Sequence, residues 1–157
     1  MNNGIKLIIS LALPLAVGFT ASYFTMPEIG GWFQTIQKPS WNPPNQVFAP
    51  VWTTLYVLMG IALFLVWKST VRPEIKRNAI ALFIVQLALN FCWSLIFFNR
   101  HELVLALIEI GILWLMILLT IFAFAKVNRI AAWLLVPYIS WVSFALLLNY
   151  AIWKLNS

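Results

Sequence analysis

Five long apolar runs constrain this chain more than anything else in it. They cover residues 5–24, 48–67, 78–98, 103–125 and 130–153, and together they take up most of the 157 residues. A bilayer's hydrocarbon core is spanned by about 20 apolar residues of helix, so each run is long enough to cross it. The alternative, a soluble domain, needs a polar skin. With 63% hydrophobic and 9% charged residues, the chain cannot supply one. The expected fold is a single all-α integral membrane domain over residues 1–157, a five-transmembrane-helix bundle with a long, partly ordered first loop. The first run exceeds the usual 7–15-residue core of a signal peptide and is read as a span.

The connections set the topology. Residues Thr25 to Gln46 hold Pro27, Gly30, Gly31, Pro39, Pro43 and Pro44, a composition that predicts no long helix across them. Trp32, Phe33 and Trp41 in the same stretch need packing partners, so the loop is expected to be ordered, as a lid over a site is. The other connections are short, which makes successive helices antiparallel neighbours. Lys6, Lys68, Arg72, Lys76, Arg77, Lys126 and Arg129 fall on one side of the membrane, against Lys38, Arg100 and Lys154 on the other. The positive-inside rule then puts the N-terminus in the cytoplasm of a bacterial cell, with the first loop and C-terminus outside. The net charge of +6 is accounted for by this pattern. No basic patch is interleaved with base-reading residues, which argues against nucleic acid as a partner.

Nine tryptophans need an explanation beyond the interfacial belt. Trp67, Trp133 and Trp153 sit at span ends; Trp93, Trp114 and Trp141 lie deeper. Gln86, Asn90, Trp93 and Phe97 form one stripe of the third span at helical spacing. Trp52, Tyr56 and Met59 share a face of the second, and Trp141, Ala145 and Asn149 a face of the fifth. Amides at this depth point into the bundle, toward either another helix or a ligand. On the second reading Trp52, Asn90, Trp93, Trp141 and Asn149 line one outward-opening pocket roofed by Trp32 to Pro44, suited to a flat apolar ligand. Gly18 and Ser22 make a small-residue pair that lets another helix approach. Asn149→Leu is then expected to raise stability while lowering affinity.

Other chemistry is thinly represented. Glu109 is the one acid inside a span, expected to be neutral or paired with Arg100 or His101. His101, the only histidine, could serve as an axial ligand to a tetrapyrrole metal but is more simply a solvated loop residue. The chain has no Asp, no Cys/His cluster and no glycine-rich phosphate loop, which removes triads, zinc sites and nucleotide chemistry. Leu148, Tyr150 and Lys154 fit a loose sterol-contact pattern. No cofactor is required.

The segment Lys38-Pro39-Ser40-Trp41-Asn42-Pro43-Pro44, followed by Phe48-Ala49-Pro50-Val51-Trp52-Thr53-Thr54-Leu55-Tyr56, resembles the TspO/translocator family, also called the peripheral benzodiazepine receptor family. Leu89 to Ser94 and Val136 to Asn149 resemble it as well, in the same order. The resemblance implies a five-helix bundle, commonly a homodimer, that binds porphyrins and benzodiazepine-type ligands under the first loop, with sterol binding in some members. It also implies that tryptophans matching Trp52 and Trp141 serve where porphyrin is degraded in light. The candidate ligand-binding set is Trp32, Trp41, Pro43, Trp52, Tyr56, Asn90, Trp93, Phe97, Trp141, Phe144, Ala145 and Asn149. Receptor, transporter and light-dependent enzyme all remain open on these residues.

Overall fold

The computed structural model describes all residues, Met1–Ser157. It contains five helical spans and is an integral membrane protein by length and apolarity of those spans. The spans are α1 (Asn3–Gly30), α3 (Phe48–Trp67), α4 (Pro73–Ser94), α5 (Leu103–Ala125) and a broken last span, α6 (Arg129–Leu134) with α7 (Val136–Leu155). A short α2 (Trp32–Thr35) and a 3₁₀ turn (Asn45–Val47) lie in the first connection. Helix starts follow local chemistry. Asn2 and Asn128 accept from the backbone N–H groups of Ile5 and Ala131, at 2.8 and 3.1 Å, and Pro73 opens α4 where its missing N–H costs nothing.

The bundle packs α1 on α3, α4 on α5, and α5 on α7, with α3 also against α6 and α4. Its centre is apolar and small-to-large interlocked: Met59, Ala62, Val66, Ala79, Phe83, Ile117 and Phe124 are fully buried, and the Phe83 and Phe124 rings stack at 5.8 Å. The outer surface is apolar too. Ile108, Leu115, Phe122 and Leu147 are well exposed, which suits lipid and would be ruinous in water.

Pro14 and Gly60 decide how α1 sits on α3. Pro14 has no N–H for the Ser10 carbonyl, and Gly60 of α3 lies directly against that turn. A Cβ at Gly60 would stand 2.8 Å from the Ser10 oxygen and 2.8 Å from the Leu11 Cα, both backbone atoms with nowhere to go. Gly60→Ala is therefore expected to push α1 off α3 and cost about 1–3 kcal/mol. Thermal denaturation in detergent micelles checks this; an unchanged midpoint would contradict the close approach.

α1 runs past residue 24, the end expected from its apolar run. The helix continues to Gly30 through Pro27, and α2 adds a further turn, so the irregular part of the first connection is short. Proline removes only one helical N–H, and tertiary ties secure the turn. Asn99 Nδ2 donates to the Phe24 carbonyl at 2.8 Å, and His101 Nε2 lies 3.1 Å from Glu28 Oε2. Two other departures come from backbone irregularity. Leu95–Asn99 forms a π-helical turn after α4, closed by Arg100 N–H donating to the Leu95 carbonyl at 2.9 Å. The last span breaks at Leu135 just before Pro137.

Candidate ligand-binding cavity

The sequence places large aromatics on α3, α4 and α7, and their packing leaves a space between them and α1. Trp52 and Tyr56, one turn apart on α3, stack at 5.7 Å. Trp52 meets Trp141 of α7 edge to face, with centroids 6.5 Å apart and planes at 89°. Trp93 stacks on Phe97 at 5.3 Å at the end of α4. Gly18 opens the opposite side. A Cβ there would fall 2.3 Å from the Tyr56 ring, so only glycine lets α1 and this tyrosine coexist.

The resulting cavity has a volume of about 700 Å³, within the range of about 300–1,000 Å³ usual for small-molecule sites. Trp52, Tyr56, Trp93, Phe98, Trp141 and Ala145 form one side; Leu15, Gly18, Phe19, Ser22, Thr25, Met26 and Ile29 of α1 form the other. Asn45, Gln46, Phe48, Ala49 and Thr53 lie toward the start of α3, and Ser94 adds a hydroxyl. The lining is thus mainly apolar, with a few hydroxyls and amides. Of the three tryptophans lining it, only Trp93 has its indole N–H engaged, donating to Asn149 Oδ1 at 3.1 Å. The indole N–H groups of Trp52 and Trp141 have no hydrogen-bond partner within the protein, unlike those of Trp93 and Trp114.

A buried polar chain supports this wall from behind. Tyr56 Oη donates to Asn90 Oδ1 at 2.7 Å, Asn90 Nδ2 donates to Tyr138 Oη at 2.9 Å, and Tyr138 Oη donates to Gln86 Oε1 at 2.7 Å. Three helices are tied in a site without competing water, where an unmade bond is costly. Asn149 serves similarly, its Nδ2 donating to the Leu103 carbonyl at 3.1 Å.

Of the residues named from sequence, Trp52, Tyr56, Trp93, Trp141 and Ala145 come together on the cavity wall. Asn90 and Asn149 sit one layer behind, their amides committed to protein partners. Phe97 turns toward Trp32 and Phe33, because the π turn adds a residue and rotates the expected stripe. Phe144 backs Trp141 at 5.3 Å and is itself covered by Trp41 at 5.6 Å. Trp32 stacks on the His101 ring at 4.1 Å, well engaged away from the cavity. Pro43 is half-buried in the connection and accepts from Asn42 Nδ2 at 3.3 Å. The loop therefore braces the site more than it lines it. It is held down by Gln37 and Asn156, which exchange two hydrogen bonds at 3.0 and 2.9 Å, and by Lys38 Nζ, which donates to the Phe33 carbonyl at 2.6 Å.

The α1 wall was missed entirely. Its residues are ordinary for a span, and the Gly18/Ser22 pair, read as a helix contact, was the one available signal. Glu109 has no ion-pair partner: both carboxyl oxygens are buried without a hydrogen bond, while His101 faces Glu28. No cluster of His, Cys, Asp or Glu could hold a metal. Leu148 is buried while Tyr150 and Lys154 face outward, so the sterol pattern does not form one surface.

Residues 10–154 match the model of the TspO/MBR family. The chain belongs to this family. It is 43% identical to the tryptophan-rich protein TspO of Chlorobaculum tepidum, across 97% of this chain and 96% of that one. It is 38% identical to the protein of the same name from Archaeoglobus fulgidus, over 99% of both chains. The human translocator protein is 39% identical over 88% of this chain and 82% of its own. Family membership agrees with the five-helix architecture and covers all the elements that build the cavity, since the match begins before Leu15 and ends after Asn149.

Proposed function

We propose that the chain is a membrane receptor or regulator that binds porphyrin-type tetrapyrroles, and benzodiazepine-like apolar ligands, in the cavity between α1 and the aromatic faces of α3, α4 and α7. The observation that carries this reading is the pairing of flat aromatic walls with two free indole N–H donors, Trp52 and Trp141, in a space of about 700 Å³. Stacking favours a planar ring, and the donors suit its carboxylate or carbonyl oxygens. The printed name of a relative from Cereibacter sphaeroides, tryptophan-rich sensory protein, is in keeping with a sensing role. The same reading places the chain in a bacterial cell membrane, with the N-terminus cytoplasmic and the cavity on the outer half, on the strength of the basic-residue asymmetry.

A second reading, light-dependent oxidation of the bound porphyrin, is favoured by one specific feature. Trp52 and Trp141 stand 6.5 Å apart at the cavity wall, where the pair would hold a planar pigment in place while dissolved molecular oxygen, the oxidant, takes electrons from its light-excited state. A transport role rests only on the translocator names of relatives.

Displacement tests whether the two ligand classes share this cavity. Protoporphyrin IX is expected to displace a bound benzodiazepine-type ligand fully and competitively in lipid nanodiscs. Simultaneous binding of both would place the porphyrin elsewhere.

A further inference from the structure

On the membrane face where the N-terminus lies, far from the aromatic cavity, a groove of about 390 Å³ opens between the end of α3 and the start of α4. Its floor is apolar, formed by Trp67, Val71, Pro73 and Ile80, and its rim carries Lys76 and Arg77. Neither cation has an acidic partner, because the single ion pair in the structure joins His101 to Glu28 on the opposite face. Glu74 is the one acid nearby, and it is exposed and unpaired. Lys6 of α1 adds a third cation close by, its Nζ 5.9 Å from the centre of the Trp67 ring. Lys76 is only half-exposed, which makes an uncompensated ammonium there more costly than one in free solvent.

We infer that this groove is a binding site for one anionic phospholipid, its phosphate held by Lys76 and Arg77 and its glycerol and upper acyl chain lying on Trp67, Val71 and Ile80. The groove straddles the end of an apolar span, so its two halves match the two halves of an amphiphile. The free cations supply the charge complementarity, and Trp67 sits where indoles meet headgroups. A soluble phosphate ester shares the headgroup chemistry but leaves the apolar floor without an occupant.

The full chain in a mild non-ionic detergent, mixed with equal amounts of phosphatidylglycerol and phosphatidylcholine, provides the test by native mass spectrometry. One phosphatidylglycerol per chain is expected to be retained, with a preference over phosphatidylcholine of about thirtyfold, the order that two basic residues near an anionic headgroup give. Lys76→Gln with Arg77→Gln is expected to bring the preference to parity. Lys126→Gln with Arg129→Gln removes the same charge from the same face and is expected to leave the preference intact. Equal loss in both pairs would overturn the site in favour of diffuse surface charge, as would a parent with no preference. Displacement by excess inorganic phosphate would overturn the lipid assignment. Should the Lys76/Arg77 variant fail to fold, Val71→Glu, which sets a like charge against the phosphate and spares both cations, is expected to release the lipid; retention would refute the site.

Discussion

Ala145→Phe is expected to weaken porphyrin binding about a hundredfold, or ~2.7 kcal/mol, while the protein stays folded. Ala145 is a buried methyl on the cavity wall, one turn from Trp141. A benzyl group there enters the space a planar ligand would occupy, and the walls that would have to yield are large aromatics already in contact. Trp141 is backed by Phe144, and Phe144 by Trp41, so the ring has little room to retreat. The cavity, about 700 Å³ in volume, has room for the new side chain without displacing core atoms, which is why stability is spared. Titration of protoporphyrin IX into the variant in nanodiscs checks the affinity, and the thermal midpoint checks the fold. Unweakened binding by a folded variant would remove the ligand from this cavity.

Asn149→Leu is expected to destabilise the protein by about 1–3 kcal/mol, the cost of leaving a buried donor without a partner. The sequence alone pointed the other way, since an amide deep in a bilayer looks costly unless a ligand uses it. In the structure the amide is engaged at both its oxygen and its nitrogen: it accepts from Trp93 and donates to the Leu103 carbonyl, joining α7 to α4 and α5. Leucine leaves the Trp93 indole unpaired and releases a cavity-lining ring from its rotamer. Affinity should therefore fall together with stability, and by loosened positioning of Trp93, not by loss of a direct contact. Thermal denaturation in lipid decides the sign; a raised midpoint would mean that the two hydrogen bonds contribute nothing.

The difference between Asn149 read from sequence and Asn149 seen in place illustrates what was legible. Apolar run length gave all five spans, because the bilayer imposes that length on any helix crossing it. Helical spacing put Trp52 with Tyr56 and Trp141 with Ala145 on shared faces, and these residues do converge. Periodicity failed where the backbone departs from 3.6 residues per turn. The π turn at Leu95–Asn99 swings Phe97 behind the wall and brings Phe98 onto it. Nor does spacing tell which polar groups find one another. The Tyr56–Asn90–Tyr138–Gln86 chain links residues from three helices, and nothing in any one helix announces its partners. The α1 wall was hidden for the opposite reason, since a face of Leu, Gly, Ser and Met looks the same whether it meets lipid, helix or ligand.

The loop was half legible. Its tryptophans do need partners and find them in His101 and Phe144. The residues that hold it in place, Gln37 with Asn156 and Lys38 with the Phe33 carbonyl, carry no motif.

The most direct test of the central claim is quenching of tryptophan fluorescence by protoporphyrin IX in the dark, with the parent protein in lipid nanodiscs. Occupancy of a cavity walled by Trp52, Trp93 and Trp141 predicts saturable quenching at one porphyrin per chain, reversed by a benzodiazepine-type competitor. Quenching that rises linearly with porphyrin, without saturation or reversal, would mean that the pigment dissolves in the bilayer and would contradict the assigned site.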